Sequence, residues 1–534
     1  MSQFSFSQVP RAEVQRSKFD RSHGYKTAFD SGYLIPFYCD DVLPGDTFNL
    51  TTSMVARLTT PILPVMDNLH IDTFFFFVPS RLVWNNFQKF FGEQENPGDS
   101  IDFTEPQIKL DAENGADVGS IYDYLGVPPM VSLTQPDWPS ALPFRAMNLI
   151  YNEWFRDQNL QDSLPVPKDD GPDDMSNYSL FKRCKRHDYF TSSQPWPSKG
   201  PQVMLPLGLS APVRGNGTVL GLTDGTVNLG IYERSGDGVN GAESLYGSSV
   251  GTSTSSNIGV SGGLGVTTDS EKSGLVADLS QAYSASIIEL RQAFAMQRLM
   301  EVLAVSGSRY TELLRGVFGV VSPDARLQRP EFLGGSTDFI AMQQVPQTSA
   351  TDGTTPQGHL AAFGYMSSVK HGFQKSFVEH GYVIGFVNVW ADLTYQQGLP
   401  RYLSRRTRWD YYWPQLANVG AQAVLNKEIY LQSDTDANNG VFGYQERNAE
   451  YRYHPSMITG QMRSQTPTPL DQWHLAQKFD SLPTLSAQFI EENPPLDRVL
   501  AVQDEPQIFL DAWFDLKCVR PMPLFGIPGL GGRF

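Results

Sequence analysis

Four stretches of this 534-residue chain carry residue types that could do catalytic or metal chemistry. Gly247-Ser248-Ser249-Val250-Gly251 has the GxSxG spacing of a nucleophile elbow, which needs a buried strand before the serine and a helix after it. Its flanks here are glycine and serine, so the match is one of composition. His371 and His380, with Glu379 beside the second, offer metal-ligating atoms but not the HxH pair and following glutamate of a cupin-type enzyme. Asp434-Thr435-Asp436 opens like a calcium loop, yet Asn439 stands where glycine is needed and Gln445 where the bidentate glutamate is needed. Gly526, Gly529, Gly531 and Gly532 precede no helix whose amino end could hold a phosphate. The chain therefore reads as a non-enzyme, with no catalytic residue, cofactor or metal ligand.

A second chemistry is better represented, that of cations interleaved with aromatic rings. Cations hold phosphates while ring faces stack unpaired bases. Three clusters fit. The first is the amino-terminal arm with Arg11, Arg16, Lys18, Arg21 and Lys26. The second is Lys182, Arg183, Lys185 and Arg186 between Phe181 and Tyr189. The third is Arg405, Arg406 and Arg408 between Tyr402 and Trp409. All three are expected to face nucleic acid. Solvated charge or ion pairing is the commoner fate of such residues.

Overall the chain is acidic, with a formal net charge of −16, so it cannot bind a polyanion over its whole surface. Charged residues make up 18% and aromatics 12%. So many rings with so few charges imply extensive buried surface, part of it between subunits. The three cysteines form no metal or disulfide pattern and are expected to stay reduced. No apolar run is long enough to span a membrane and no export signal opens the chain, so membrane insertion is not expected and synthesis in a cytoplasm is.

The elements that must position these residues are mostly strands. Residues 1–45 read as an extended basic arm, and 46–534 as one domain. Alternation predicts strands over 47–58, 70–78, 372–377, 382–390, 427–431 and 507–519. Apolar stripes predict helices over 141–158, 278–305 and 310–317. Residues 215–274 differ, with fifteen glycines among 60 residues. Thr223-Asp224-Gly225 between two apolar runs predicts a hairpin, and the whole segment reads as a surface insertion. Early strands, a helical middle and late strands predict a mainly β fold, an eight-stranded antiparallel jelly roll with long loop insertions containing helices.

The most demanding stretch is Phe74-Phe75-Phe76-Phe77, closely followed by Trp84. Side chains alternate along a strand, so these phenylalanines must bury two rings on each face. A second sheet, an inserted loop or a neighbouring subunit must cover both sides. We place these five residues in the core or between subunits. The block from Arg57 to Trp84 resembles the amino-terminal signature of the major capsid proteins of small single-stranded DNA phages, the Microviridae, and most closely the gokushoviruses. Leu142-Pro143-Phe144-Arg145-Ala146, Tyr151 to Asp157, and Leu399 to Trp409 extend the likeness over nearly the whole chain. The resemblance implies a jelly-roll coat protein forming a T=1 icosahedral shell around circular single-stranded DNA, assembled in a bacterial host cytoplasm. It implies as partners further copies of the chain, the genome, a small basic DNA-binding protein, a minor capsid or pilot protein, and a host receptor. It also implies that residues 215–274 form a protrusion at the three-fold axes, with Tyr232, Tyr246, Ser249 and Ser255 as receptor-facing candidates. A carbohydrate-binding or hydrolytic β-sandwich is the alternative and should show a catalytic carboxylate pair or an export signal. A surface adhesin would need the export signal too.

Overall fold

A computed structural model describes residues 15–110, 115–201, 203, 213–215, 220–223, 228–232, 246–247, 265–266, 275–277, 287–305, 309–318, 328–351 and 356–525. Two compact units are present, Gly200–Met300 and the remainder of the chain.

The larger unit is built on nine strands: β1 (Ser17–Asp20), β2 (His23–Phe29), β3 (Ile35–Val42), β4 (Thr47–Leu58), β5 (Leu69–Pro79), β6 (Glu331–Pro346), β7 (Leu360–Ser376), β8 (Gly381–Ala391) and β9 (Ile508–Arg520). Their hydrogen-bonded order is β1-β9-β4-β7-β6-β5-β8-β3, with β2 also pairing β9, and every pairing is antiparallel. The 16-residue β6 pairs β5 through residues 331–340 and β7 through 341–346. It thereby joins two halves, β1/β2-β9-β4-β7 and β6-β5-β8-β3. Rings from both halves meet between them, as in Phe75–Phe373 at 5.6 Å, Phe77–Phe377 at 4.6 Å and Phe37–Phe514 at 5.3 Å. The architecture is that of an antiparallel jelly roll assembled from both chain ends with long insertions between, with nine strands where eight are expected. At Gly372 on β7 a Cβ would lie 1.9 Å from the Leu50 carbonyl oxygen, so only glycine lets the two strands approach this closely.

Alternation explains the core. Along β4, Phe48, Leu50, Met54, Ala56 and Leu58 are buried and their neighbours are not. Along β5, Phe75 and Phe77 enter the space between the two halves, while Phe74 and Phe76 turn outward into a second apolar cluster. That cluster is roofed by helix α1 (Leu142–Ile150) and the π-helical turn Tyr151–Phe155, which set Trp154 and Phe155 5.5 and 5.7 Å from the Phe76 ring. Trp84 is fully buried in the same cluster, its indole N–H donating to Asp170. An inserted loop of the same chain therefore covers the outer face of β5; the neighbouring subunit considered from the sequence is not needed there. Arg145 fixes this roof. Its side chain is fully buried and bridges both carboxylate oxygens of Asp173 and the carbonyls of Val83 and Asp169, tying α1 to the acidic 165–174 segment.

Several expectations need correction. The segment read as an extended arm is strand from Ser17 onward, with β1 and β2 paired to β9 and β3 paired to β8. Residues 427–431 are not a strand, because Glu428 caps a short helix, Asn426–Ile429, by accepting from the Leu425 N–H. The first predicted helix ends at Ile150 in a π turn; of the second, Ile287–Val305 is helix α2 and residues 278–286 lie outside the described residues, while α3 spans Tyr310–Phe318.

In the smaller unit, Leu220–Thr223 pairs antiparallel with Asn228–Tyr232, as the Asp-Gly signal predicts, inside a four-stranded sheet completed by Tyr246–Gly247 and Gly265–Val266. Residues 215–274 lie within this unit. Ser249, which is also the GxSxG serine, Ser255 and the side chains of Tyr232 and Tyr246 lie outside the described residues.

Candidate assembly and nucleic-acid surfaces

The three cationic clusters meet different fates. In the arm, Arg21 reaches Asp40 at 2.7 Å, Lys26 reaches Asp511 at 2.5 Å, and Arg16 donates to the Gly45 carbonyl and the Thr47 hydroxyl. Lys18 lies on β1 opposite Val519, and Arg11 lies outside the described residues.

The 182–186 cluster is largely internal. Arg183 and Arg186 both close on Asp72, which is fully buried on β5 two residues before the phenylalanine run and also accepts from the Thr337 hydroxyl. Burial pushes the Asp72 carboxyl up, but the Thr337 hydroxyl and the two guanidinium groups together outweigh it and hold it below its ordinary value. Lys185 is buried, donates to the Phe489 carbonyl, and lies 4.7 Å from that residue's ring. Nearby, burial raises the Glu492 carboxyl to about 7 against the opposing pull of Lys185, Arg183 and Arg186. Lys182 donates to Asn493 and stands over the Tyr33 ring. These cations tie the 182–186 segment to β5 and to the 489–493 turn.

The third cluster divides its arginines. Arg401 is held by Glu428 at 2.8 Å and by the Ala423 carbonyl. Arg405 reaches Glu450 at 3.4 Å and lies against the Tyr411 and Tyr451 rings. These two anchor the loop. Asp410 then folds it, accepting from the Arg406 and Thr407 N–H groups and the Thr407 hydroxyl, which hold its carboxyl below the ordinary range. The Trp413 indole N–H donates to the Arg408 carbonyl. Arg406 and Arg408 are exposed and have no ion pair among the described residues; Arg408 lies 4.6 Å over the Trp409 ring. Trp409, Tyr411, Tyr412 and Trp413 are each 43–56% exposed.

A further uncovered surface had no distinct signal in the sequence. The solvent side of β4, β7 and β9 presents Val55, Phe363, Tyr365, Val369, Phe509 and Trp513, all substantially exposed. Their alternation with buried neighbours could have shown two-sided apolar strands, but not which side lacks a cover.

Among the described residues no group of three or more histidine, cysteine or carboxylate side chains is placed to hold a metal. His371 faces Asp338, His380 stacks on Phe91, and Asp434 caps the short helix Thr435–Asn439. No described helix is long and apolar enough to cross a membrane.

The family model for "Capsid protein (F protein)" matches residues 7–530. The chain belongs to this capsid protein family. Similar relatives agree over nearly their full length. The "Capsid protein VP1" of Bdellovibrio phage phiMH2K is 47% identical, covering 100% of this chain and 98% of the relative. The protein of that name from Chlamydia phage 1 is 42% identical over 98% and 97%, and that from Spiroplasma virus 4 is 36% identical over 98% and 97%. The capsid family makes the chain a structural subunit of a phage virion, not an enzyme, and one that assembles with copies of itself. The carbohydrate-binding or hydrolytic alternative has no support.

Proposed function

We propose that this chain is the major coat subunit of a gokushovirus-like phage, closing into a T=1 icosahedral shell around circular single-stranded DNA in the cytoplasm of a bacterial host. The observation that carries the reading is the distribution of exposed rings. The jelly roll already covers both faces of β5 from within, yet leaves Trp409, Tyr411, Tyr412, Trp413, Trp513 and Phe509 open to solvent. Patches of that extent on a well-packed unit mark surfaces made for contact. Each copy would bury them against neighbours or cargo, and closure of the shell supplies the cooperativity that one contact lacks.

The remaining partners follow from the same reading. A coat of net charge −16 leaves most of the genome's phosphate charge to a separate small basic protein. A minor capsid or pilot protein completes the particle. Residues 215–274, with Tyr232, Tyr246, Ser249 and Ser255, form the receptor-facing protrusion.

Electron microscopy of the purified full-length protein tests the shell. Closed particles of uniform diameter are expected. A compact monomer under every condition that keeps the chain folded would overturn the proposal.

A further inference from the structure

Among the described residues of the three cationic clusters, only the loop around Trp409 leaves arginines free beside open rings. We infer that residues 402–413 form a stacking platform for the unpaired bases of single-stranded DNA. This rests on the proposal that the shell encloses such a strand and names the surface that receives it.

Charge is the first argument. From Arg401 to Trp413 the chain carries four arginines and one aspartate, against a chain-wide net charge of −16. Two of these arginines are consumed by Glu428 and Glu450, and the aspartate is turned onto the loop's own backbone N–H groups. What reaches solvent is the pair Arg406 and Arg408, a local positive site on an acidic protein. Among the described residues of the other two clusters, Lys18 is an exposed single cation on β1, and most of the rest are engaged within the fold. Arg183 and Arg186 converge on Asp72, Arg21 on Asp40 and Lys26 on Asp511.

Ring geometry is the second argument. The Trp409 and Trp413 centroids are 6.4 Å apart at 50°, and Arg408 lies over the Trp409 face. The Tyr412 ring lies 6.3 Å from Tyr451 at 60°. Rings on a backbone-locked loop lose little freedom on receiving a base. Stacking tolerates any sequence because every base has a π face. A copy of this chain is the competing occupant. It would have to bring carboxylates to Arg406 and Arg408, whereas a nucleic acid brings a phosphate and a base together at the spacing of one nucleotide.

The test uses full-length unassembled subunits and a fluorescein-labelled oligo-dT strand, read by anisotropy over a range of sodium chloride concentrations, with a duplex of the same length as comparison. Trp409→Ala should weaken oligo-dT binding at least about fivefold, the low end for one stacked base, while Trp409→Phe retains binding. The Arg406→Ala/Arg408→Ala double variant should lower the slope of log K against log salt by roughly 1.4, about 0.7 for each phosphate contact on a single strand. Trp513→Ala, on the far strand β9, should leave both readings unchanged. Particle formation, followed by sedimentation, should survive the three loop variants. Unchanged affinity and slope in the loop variants would overturn the inference, as would equal binding of duplex. Loss of particles with oligo-dT binding intact would also overturn it, assigning the loop to contacts between copies. Failure of the unmodified chain to form particles would instead refute the shell proposal and leave the oligo-dT comparison standing.

Discussion

Covering Phe76 with the chain's own helical insertion has a measurable consequence. Phe76 is 1% exposed and its ring meets Phe332 at 5.4 Å, Trp154 at 5.5 Å, Phe155 at 5.7 Å and Phe386 at 6.5 Å. Phe75, on the opposite face of β5, is equally buried among Phe37, Tyr38 and Phe373. Truncating either ring to alanine removes the same transfer free energy and leaves a cavity that packed aromatic walls can fill only in part. Each substitution should therefore cost about 3–5 kcal/mol. If the roof belonged to a neighbour, Phe76→Ala would leave the isolated subunit untouched and weaken only assembly. The measurement is urea unfolding of unassembled subunits, followed by tryptophan fluorescence, with Phe75→Ala and Phe76→Ala compared at equal slope. Midpoints lowered to a similar extent are expected. A normal midpoint for Phe76→Ala together with a reduced particle yield would refute the internal roof.

Asp72→Asn leaves Arg183 and Arg186 without their shared carboxylate inside the fold; breaking a buried pair from one side costs about 3–5 kcal/mol, and a subunit as stable as the parent would contradict that role. The raised Glu492 carboxyl stabilises the fold most below its ordinary value of 4.5, and that contribution is lost as pH rises towards about 7. Glu492→Gln should therefore flatten the dependence of the unfolding midpoint on pH between those values, and superimposable curves would rule this out. Deleting residues 247–265 should preserve particles and lower adsorption to host cells, with undiminished adsorption arguing against a receptor-facing insertion.

Strand content was legible in part: only 372–377 of β7 was expected, and β6 was not expected at all. The β4 boundaries, 47–58, are those the alternation marks, and β8 and β9 differ from expectation by a residue or so. Strands β1 and β2 were missed for a physical reason. Arg16, Lys18, Arg21 and Lys26 make β1 and β2 look like a solvated arm, because an edge strand needs only one hydrogen-bonding neighbour and tolerates charge on its open side. Its partner, β9, lies almost 500 residues away in the chain, and no local pattern announces a pairing of that range.

The clusters show the same limit in electrostatics. Lys182 to Arg186 and Arg401 to Arg408 look alike in sequence, each with four cations among aromatics. Their difference arises from carboxylates brought in by the fold: Asp72, from β5, takes two of the first group, while Glu428 and Glu450 take only Arg401 and Arg405 from the second. A cation is functional surface only after the fold's internal acids have been matched. Asp410 adds the last step, since a carboxylate capped by Arg406 and Thr407 N–H groups is turned away from the guanidinium beside it. The Trp409 loop keeps Arg406 and Arg408 out of ion pairs because its own acid accepts from backbone N–H groups instead.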